Sequence, residues 1–380
     1  MKVSYLTTYD ATDVHKWSGL GYFIAKAIKD QGVEIDFVGN LEPQNAPKFY
    51  INKILAKLTG KHFIPARTPA YAKLISTEAE KRISSDSDIA FAPGTPAICF
   101  LKTNKLKVFY TDATFAGMLG FYKDFSNLSS ITIRNGNDME QKALDNCDLA
   151  IYSSEWAADS ARKFYKVNPD KIKVVPFGAN IFKVKPINEI KEIIEKKPKD
   201  ECHLLFMGVD WDRKGGDTAI NIAKCLNEMG LKTYLHLSGL NELPVSNLPE
   251  YVINHGFLSK ESADGQKKID ELFSISHFFV LPTKADCTPL VCSEANAFGL
   301  PCITTNVGGI PSLIEDNVNG KMFNSGDSAQ LYADYIYASM QDQKHYAEFS
   351  ISSYEYYLKN LNWDVTGKKL VEILKQAMLK

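Results

Sequence analysis

The sequence predicts an α/β protein made of two doubly wound domains, each a parallel sheet with crossover helices. Three observations carry this. Short apolar, strand-like runs alternate with helical stretches along the chain. Many of these runs are apolar on both faces, as parallel strands covered on both sides are. The chain has 380 residues, more than one ordinary domain and suited to two.

The elements follow in order. Strand-like runs are KVSYLTTY (2–9), VEIDFVG (33–39), DIAFAP (88–93), KVFYTD (107–112), DLAIYSS (148–154) and KIKVVPFG (171–178). After a break come HLLFMG (203–208), TYLHLSG (233–239), YVINHGF (251–257), FFVLP (278–282) and PCITT (301–305). Helical patterns fall between them, among them Gly21–Gln31, Asn137–Asn146, Glu155–Tyr165 and Gly216–Gly230. The break, IFKVKPINEIKEIIEKKPKDE (181–201), is charged and bracketed by prolines, and reads as a linker with a short solvated helix. Residues 1–180 then form the first domain and 181–345 the second, and the tail 346–380 reads as two helices. Two such sheets facing a cleft would bind ligand at the carboxyl ends of their strands.

Composition narrows the function classes. The chain is 45% hydrophobic and 23% charged, with net charge −1, which fits a globular protein. A near-neutral balance argues against a dedicated nucleic-acid binder, which needs a basic face. No apolar run reaches the roughly 18–20 residues that span a bilayer. The start, MKVSYLTTYD, lacks the parts of a secretory signal and reads as a first strand, so a cytoplasmic location is expected. The cysteines at 99, 147, 202, 225, 287, 292 and 302 are scattered, with no CxxC pair. Zinc binding and a disulfide framework are therefore not expected. Most sit in apolar runs and act as small hydrophobes. Cys287 differs, because it lies in a polar loop.

That loop belongs to the most informative stretch, Phe278–Gly320: strand, polar loop, helix start, glycine-bounded turn, second strand, glycine loop. Thr288 is placed to cap the helix and Pro289 suits its first position. The amides of Leu290 and Val291 would lack intrahelical acceptors and sit at the positive end of the helix dipole, an anion site. Glu294 lies about 7.5 Å further along the axis, its side chain tilted back toward the start. Asp286 precedes the helix. Read alone, the pattern also fits a surface turn with two solvated acids.

Three other strand ends carry polar residues. Trp17-Ser18-Gly19-Leu20-Gly21 opens a helix with two glycines, which suits close approach to a phosphate or a simple glycine turn. It fails as a dinucleotide fingerprint, because the third glycine position holds Ile24. Asp112 follows an apolar strand, as a helix cap or a hydroxyl acceptor. Arg213-Lys214 precedes Gly215-Gly216 at a helix start, where cations would stabilise a diphosphate leaving group or form a solvated basic turn.

Other chemistries lack their residues. Asp86-Ser87-Asp88 leads into a strand rather than following one, and Asp210-Trp211-Asp212 is followed at once by Arg213 and Lys214, which oppose a divalent cation. The histidines show no HxxxH or HExxH spacing. GxSxG and Walker motifs are absent.

The order and spacing of LLFMGVDWDRKGGDTAI, PTKADCTPLVCSEANAFGLPCITTNVGGIPSLIEDNVNG, YSSEWAADSARKFYKVNPDKIKVVPFGAN and LNWDVTGKKLVEIL resemble glycosyltransferase family 4 over nearly the whole chain. These are retaining, sugar-nucleotide-dependent enzymes of GT-B fold. The resemblance implies two Rossmann-like domains facing a cleft, with C-terminal helices crossing back to the first. It implies that Lys214 contacts the donor diphosphate and Glu294 the nucleotide ribose. Asp286 stands where the family has the first Glu of a Glu, seven residues, Glu motif, and would meet the donor sugar. Cys287, Thr288, Pro289, Leu290 and Val291 would approach sugar and phosphates, and Gly19, with Gly21, would border the diphosphate. Two departures stand out. Asp286 is one methylene shorter than the family's Glu. Val209 replaces a diphosphate-binding Arg, so Arg213 is the expected substitute.

The implied mechanism needs no metal and no cofactor beyond the donor. Negative charge grows on the leaving phosphate and is met by Lys214, Arg213, the Gly19 loop and the helix start. The acceptor hydroxyl attacks from the same face, with Asp112 orienting acceptor or sugar. Acceptors would be carbohydrate or lipid-linked, in bacterial-type polysaccharide, glycolipid or glycan synthesis. The segment PKFYINKILAKLTGKHF, with Lys48, Lys53, Lys57 and Lys61, reads either as an ordinary amphipathic helix or as a peripheral contact with the cytoplasmic membrane face. Two rivals remain: a sugar-nucleotide epimerase of the same fold, which would need its own acid–base pair, and a non-catalytic two-domain sugar-binding protein, which should carry an export signal.

Overall fold

A computed structural model describes residues 1–43 and 58–379. These fall into two units, Met1–Phe177 with Trp363–Lys380, and Gly178–Asn362. Lys48, Lys53 and Lys57 lie outside the described residues. Lys61 lies within them and donates to Asn127 Oδ1 at 2.8 Å.

The first unit is a six-stranded parallel sheet of β1 (Lys2–Leu6), β2 (Glu34–Val38), β3 (Ile89–Ala92), β4 (Leu106–Thr111), β5 (Leu149–Tyr152) and β6 (Ile172–Val174). Its order is β2-β1-β3-β4-β5-β6. The chain therefore leaves β1 to one side and returns on the other, the switch point at which doubly wound sheets open a crevice. β3 and β5 are buried along their whole lengths, which explains their unbroken apolar sequences. Serines start two of the helices. Ser129 accepts from the Thr132 amide and begins Ser130–Asn146, seven residues earlier than the apolar pattern alone suggests. Ser154 accepts from Ala157 and begins Glu155–Phe164.

The second unit repeats the architecture with β7 (Glu201–Met207), β8 (Lys232–Ser238), β9 (Val252–Asn254), β10 (Phe278–Leu281), β11 (Cys302–Thr305) and β12 (Gly320–Phe323), in the order β12-β11-β10-β7-β8-β9. β12 is the strand the sequence reading missed. It is four residues long, opens on glycine and is only partly buried, so neither length nor apolar run betrays it. Two expectations are corrected. The linker helix, Ile187–Lys196, is not solvated all round: Ile190 and Ile194 are buried in the second unit's core. Residues 346–362 do not cross back. Tyr346, Phe349, Tyr354 and Tyr357 join the same core, and rings of this size contribute about 2–3 kcal/mol each on burial. Only the last helix, Trp363–Met378, packs with the first unit. Its Thr366 donates to Pro176 O at 2.9 Å, and Trp363 stacks on Phe23 at 6.1 Å.

Four histidines, widely separated in sequence, meet on the second sheet. The rings of His277, His203, His236 and His255 stack in series at 5.9, 5.2 and 5.3 Å. His203 Nε2 lies 3.0 Å from the Glu201 carboxylate and so donates to it. With neutral rings, His203 Nδ1 then accepts from His236 Nε2 at 2.9 Å, and His236 Nδ1 from His255 Nε2 at 3.0 Å. Burial pulls His236 and His277 down to about 3.

Among the described residues no helix is long and apolar enough to cross a membrane.

Candidate functional site

The carboxyl ends of β7 and β10, adjacent strands of the second sheet, carry most of the expected site. After β7 the chain turns through Gly208 into a single helical turn, Trp211–Lys214. Asp210 caps that turn by accepting from the Arg213 amide at 3.1 Å. Gly215 ends it at φ +81°, and a side chain there would meet the Pro282 carbonyl at 2.1 Å. Only glycine fits both the left-handed backbone and the contact. Gly208 likewise leaves room for the stem of Lys214, whose Cγ would lie 2.9 Å from an added Cβ. These two glycines set the direction of Lys214.

Lys214 Nζ forms an ion pair with Asp286 Oδ2, and the Arg213 guanidinium stands 3.8 Å from the same oxygen. The three side chains are 12%, 22% and 8% exposed, so the charges interact in partly desolvated surroundings. Arg213 is also anchored to the loop. Its Nη1 donates to Ala285 O at 2.9 Å and its Nε to Asp210 Oδ2 at 3.2 Å. Thr283 Oγ1 and the Lys284 amide donate to the Arg213 carbonyl at 3.0 and 2.8 Å. The loops after β7 and β10 are thus tied together, and Asp286 reaches the cations because of it.

The helix after β10 is Leu290–Asn296, with Pro289 at the cap position. Thr288 is not the cap: its hydroxyl donates to Cys287 O at 2.6 Å. Seven residues make a short dipole, so the lysine and arginine are the larger source of positive potential. The first-turn amides of Leu290 and Val291 still lack intrahelical acceptors. Glu294 is buried on this helix and pairs with Lys260, which the sequence reading did not single out. Lys260 lies in a polar loop, LSKES, with no distinguishing pattern. Cys287 is buried beside Asp286. Val209, where an arginine was expected by resemblance, is 64% exposed.

The two Asp-x-Asp triplets are engaged by the protein's own cations. Asp212 pairs with Lys284 at 2.5 Å, and Asp86 with Lys2 at 2.9 Å. Asp88 accepts from the Lys2 amide at 2.8 Å.

The remaining expected residues lie in the first unit. Trp17, Ser18 and Gly19 are all left-handed, at φ 48°, 55° and 82°, before the helix Leu20–Asp30 begins. A run of non-glycine residues in this region stores strain and turns successive amides one way. Gly21 lies in the first turn of that helix, but the space beside it is filled by Tyr9, whose Oη would lie 2.5 Å from an added Cβ. Gly21 therefore serves packing against Tyr9. Asp112 follows β4 and lines a cavity in this unit.

Comparison with known proteins gives a consistent family. The sequence model described as glycosyl transferases group 1 matches residues 166–356, half of the chain. A D-inositol 3-phosphate glycosyltransferase of Thermomonospora curvata is 21% identical over 252 residues, 62% of this chain and 58% of that one. The chain spans about half the length of the curated relatives it matches. Among solved structures, sucrose-phosphate synthase from Thermosynechococcus elongatus covers 100% of this chain and 99% of its own, with TM-score 0.70 and 14% identity. Anabaena HepE in complex with UDP covers 99% and 100%, with TM-score 0.66 and 16% identity. At these identities the likeness establishes the fold, GT-B, alone.

Proposed function

The chain belongs to the glycosyl transferases group 1 family, and from that premise we propose that it is a retaining, family 4 glycosyltransferase. It moves a sugar from a nucleoside diphosphate to an acceptor hydroxyl and needs no metal to do so. The observation that carries this reading is the convergence of Lys214 and Arg213 on Asp286 at the ends of β7 and β10.

In this reading the donor diphosphate takes the place of Asp286 as the principal partner of Lys214. Charge that develops on the leaving oxygen meets a fixed ammonium and guanidinium, aided by the Leu290 and Val291 amides. Because these cations are already positioned, no reorganisation accompanies charge separation. Asp286, released from Lys214, accepts hydroxyls of the donor sugar. Glu294 accepts the ribose hydroxyls, with Lys260 withdrawing toward solvent. In the first unit, Asp112 orients the acceptor hydroxyl. HepE has been solved with UDP and UDP-glucose, which makes uridine donors the first to test. The acceptor is a carbohydrate or a lipid-linked glycan, and the reaction belongs to polysaccharide or glycolipid assembly on the cytoplasmic side.

The test is turnover of a nucleotide sugar by folded variants. Lys214→Ala and Glu294→Ala should each lower it at least about tenfold. Wild-type turnover in both would overturn the reading.

A further inference from the structure

Two asparagine side chains are fully buried in the second unit, where polar side chains need partners to be tolerated. Asn296 ends the helix that carries Glu294, and Asn319 directly precedes β12. They bond to each other, Asn319 Nδ2 donating to Asn296 Oδ1 at 2.8 Å. Asn296 Nδ2 donates to Asn319 O at 2.9 Å and to Leu300 O at 3.1 Å. Asn319 Nδ2 also donates to Leu313 O at 2.8 Å, and its Oδ1 accepts from the Glu315 amide at 2.7 Å. Both side-chain amides thus face carbonyls with their NH2 groups and an N–H with their oxygens, which admits one orientation of each.

The network ties the Glu294 helix to the segment between β11 and β12. The same segment reaches the other acid of the site, because the Gly309 amide donates to Asp286 O at 3.1 Å. Residues 309–319 therefore brace the chain at both carboxylates. The brace matters most for Glu294. Its helix has only seven residues, too few to be stable alone, so surrounding contacts must fix its place. At its C-terminal end those contacts include the asparagine pair. Asn296 lies two residues beyond Glu294, little more than half a turn away, so a displacement at 296 carries Glu294 with it. Apolar side chains would fill the same space without direction. A fully satisfied polar network specifies one arrangement.

We propose that Asn296 and Asn319 are positioning residues for the nucleotide ribose. Buried as they are, they touch no ligand; they set the place at which Glu294 accepts the ribose hydroxyls. This rests on the proposed function, in which Glu294 is the ribose partner.

The test is titration of the full chain with UDP, GDP and ADP, each beside its 2′-deoxy form, and with inorganic pyrophosphate. Wild type should favour a ribonucleotide over its deoxy form by about tenfold. Asn296→Leu and Asn319→Leu keep a branched side chain and remove its bonds. Each should lower that preference to below about threefold, while pyrophosphate, which has no ribose, binds within about twofold of wild type. Hydrogen exchange on the wild-type protein gives a reading that needs no variant. At equal saturation the ribonucleotide should slow exchange of the amides of residues 309–319 more than its deoxy form does, because the extra hydroxyl is felt through Glu294 and the asparagine pair. A tenfold preference that persists in the folded asparagine variants would overturn the positioning role. So would pyrophosphate binding that weakens in step with the preference, or equal protection by the two nucleotides. A wild-type preference near one, or one that Glu294→Gln leaves unchanged, would instead overturn the ribose reading on which the role rests.

Discussion

Lys214, at the end of β7, forms its ion pair with Asp286, at the end of β10, 72 residues further along the chain. Each is nearly withdrawn from water, and each belongs to a loop that a glycine or a capping aspartate holds in place. Removing one partner leaves the other charge poorly compensated, apart from Arg213 at 3.8 Å. Lys214→Ala should therefore destabilise the second unit by about 1–3 kcal/mol in urea unfolding, besides lowering turnover. Asp286→Asn should cost less stability, since Lys214 can reach solvent.

Gly215 tests the positioning argument. Gly215→Ala places a methyl group against the Pro282 carbonyl at a left-handed backbone position. It should destabilise by about 2 kcal/mol or more and lower donor affinity, although no ligand-contacting atom is removed. A variant as stable and active as wild type would show that the loop tolerates another path.

Glu294 and Lys260 make a third prediction. If Glu294 accepts from the ribose, UDP should bind more tightly than its 2′-deoxy counterpart by about tenfold, the value of a hydrogen bond to a charged group. Glu294→Gln should shrink that ratio. Lys260→Ala, which exposes the carboxylate to the incoming ribose, should leave the ratio intact.

The histidine stack gives a pH dependence with a definite sign. His236 and His277 are held near about 3 in the folded protein, chiefly by burial, against about 6.5 when unfolded. Between those values the unfolded chain binds more protons, so stability is full above about pH 6.5 and falls as pH drops toward 3. Each group adds at most about 1.4 kcal/mol per pH unit. Denaturant midpoints measured from pH 7 to 5 should fall, and His236→Gln should flatten the slope. An unchanged slope would mean that the stack is not held neutral.

The fold was legible wherever strands were buried on both faces, as at Ile89–Ala92 and Leu149–Tyr152. It was least legible where burial is tertiary. The helix at Ile187–Lys196 reads as solvated until its isoleucines find the second core, and Gly320–Phe323 becomes a strand only because β11 lies beside it. Within the site, Lys214, Asp286 and Glu294 carried a family pattern. Lys260 did not, because its partner Glu294 lies 34 residues away, a contact no local spacing records. The packing role of Gly21 was hidden for the same reason: the residue that occupies its free side, Tyr9, lies on another segment.

The central claim is that the β7–β10 strand ends hold a nucleoside diphosphate. It is tested most directly by thermal-shift titration of wild type and Lys214→Ala with UDP, GDP, ADP and TDP. At least one should stabilise the wild-type protein in proportion to its concentration over its affinity. That shift should be lost or reduced at least about tenfold in apparent affinity in Lys214→Ala. Equal stabilisation of both proteins, or none of either by any nucleotide, would contradict the account.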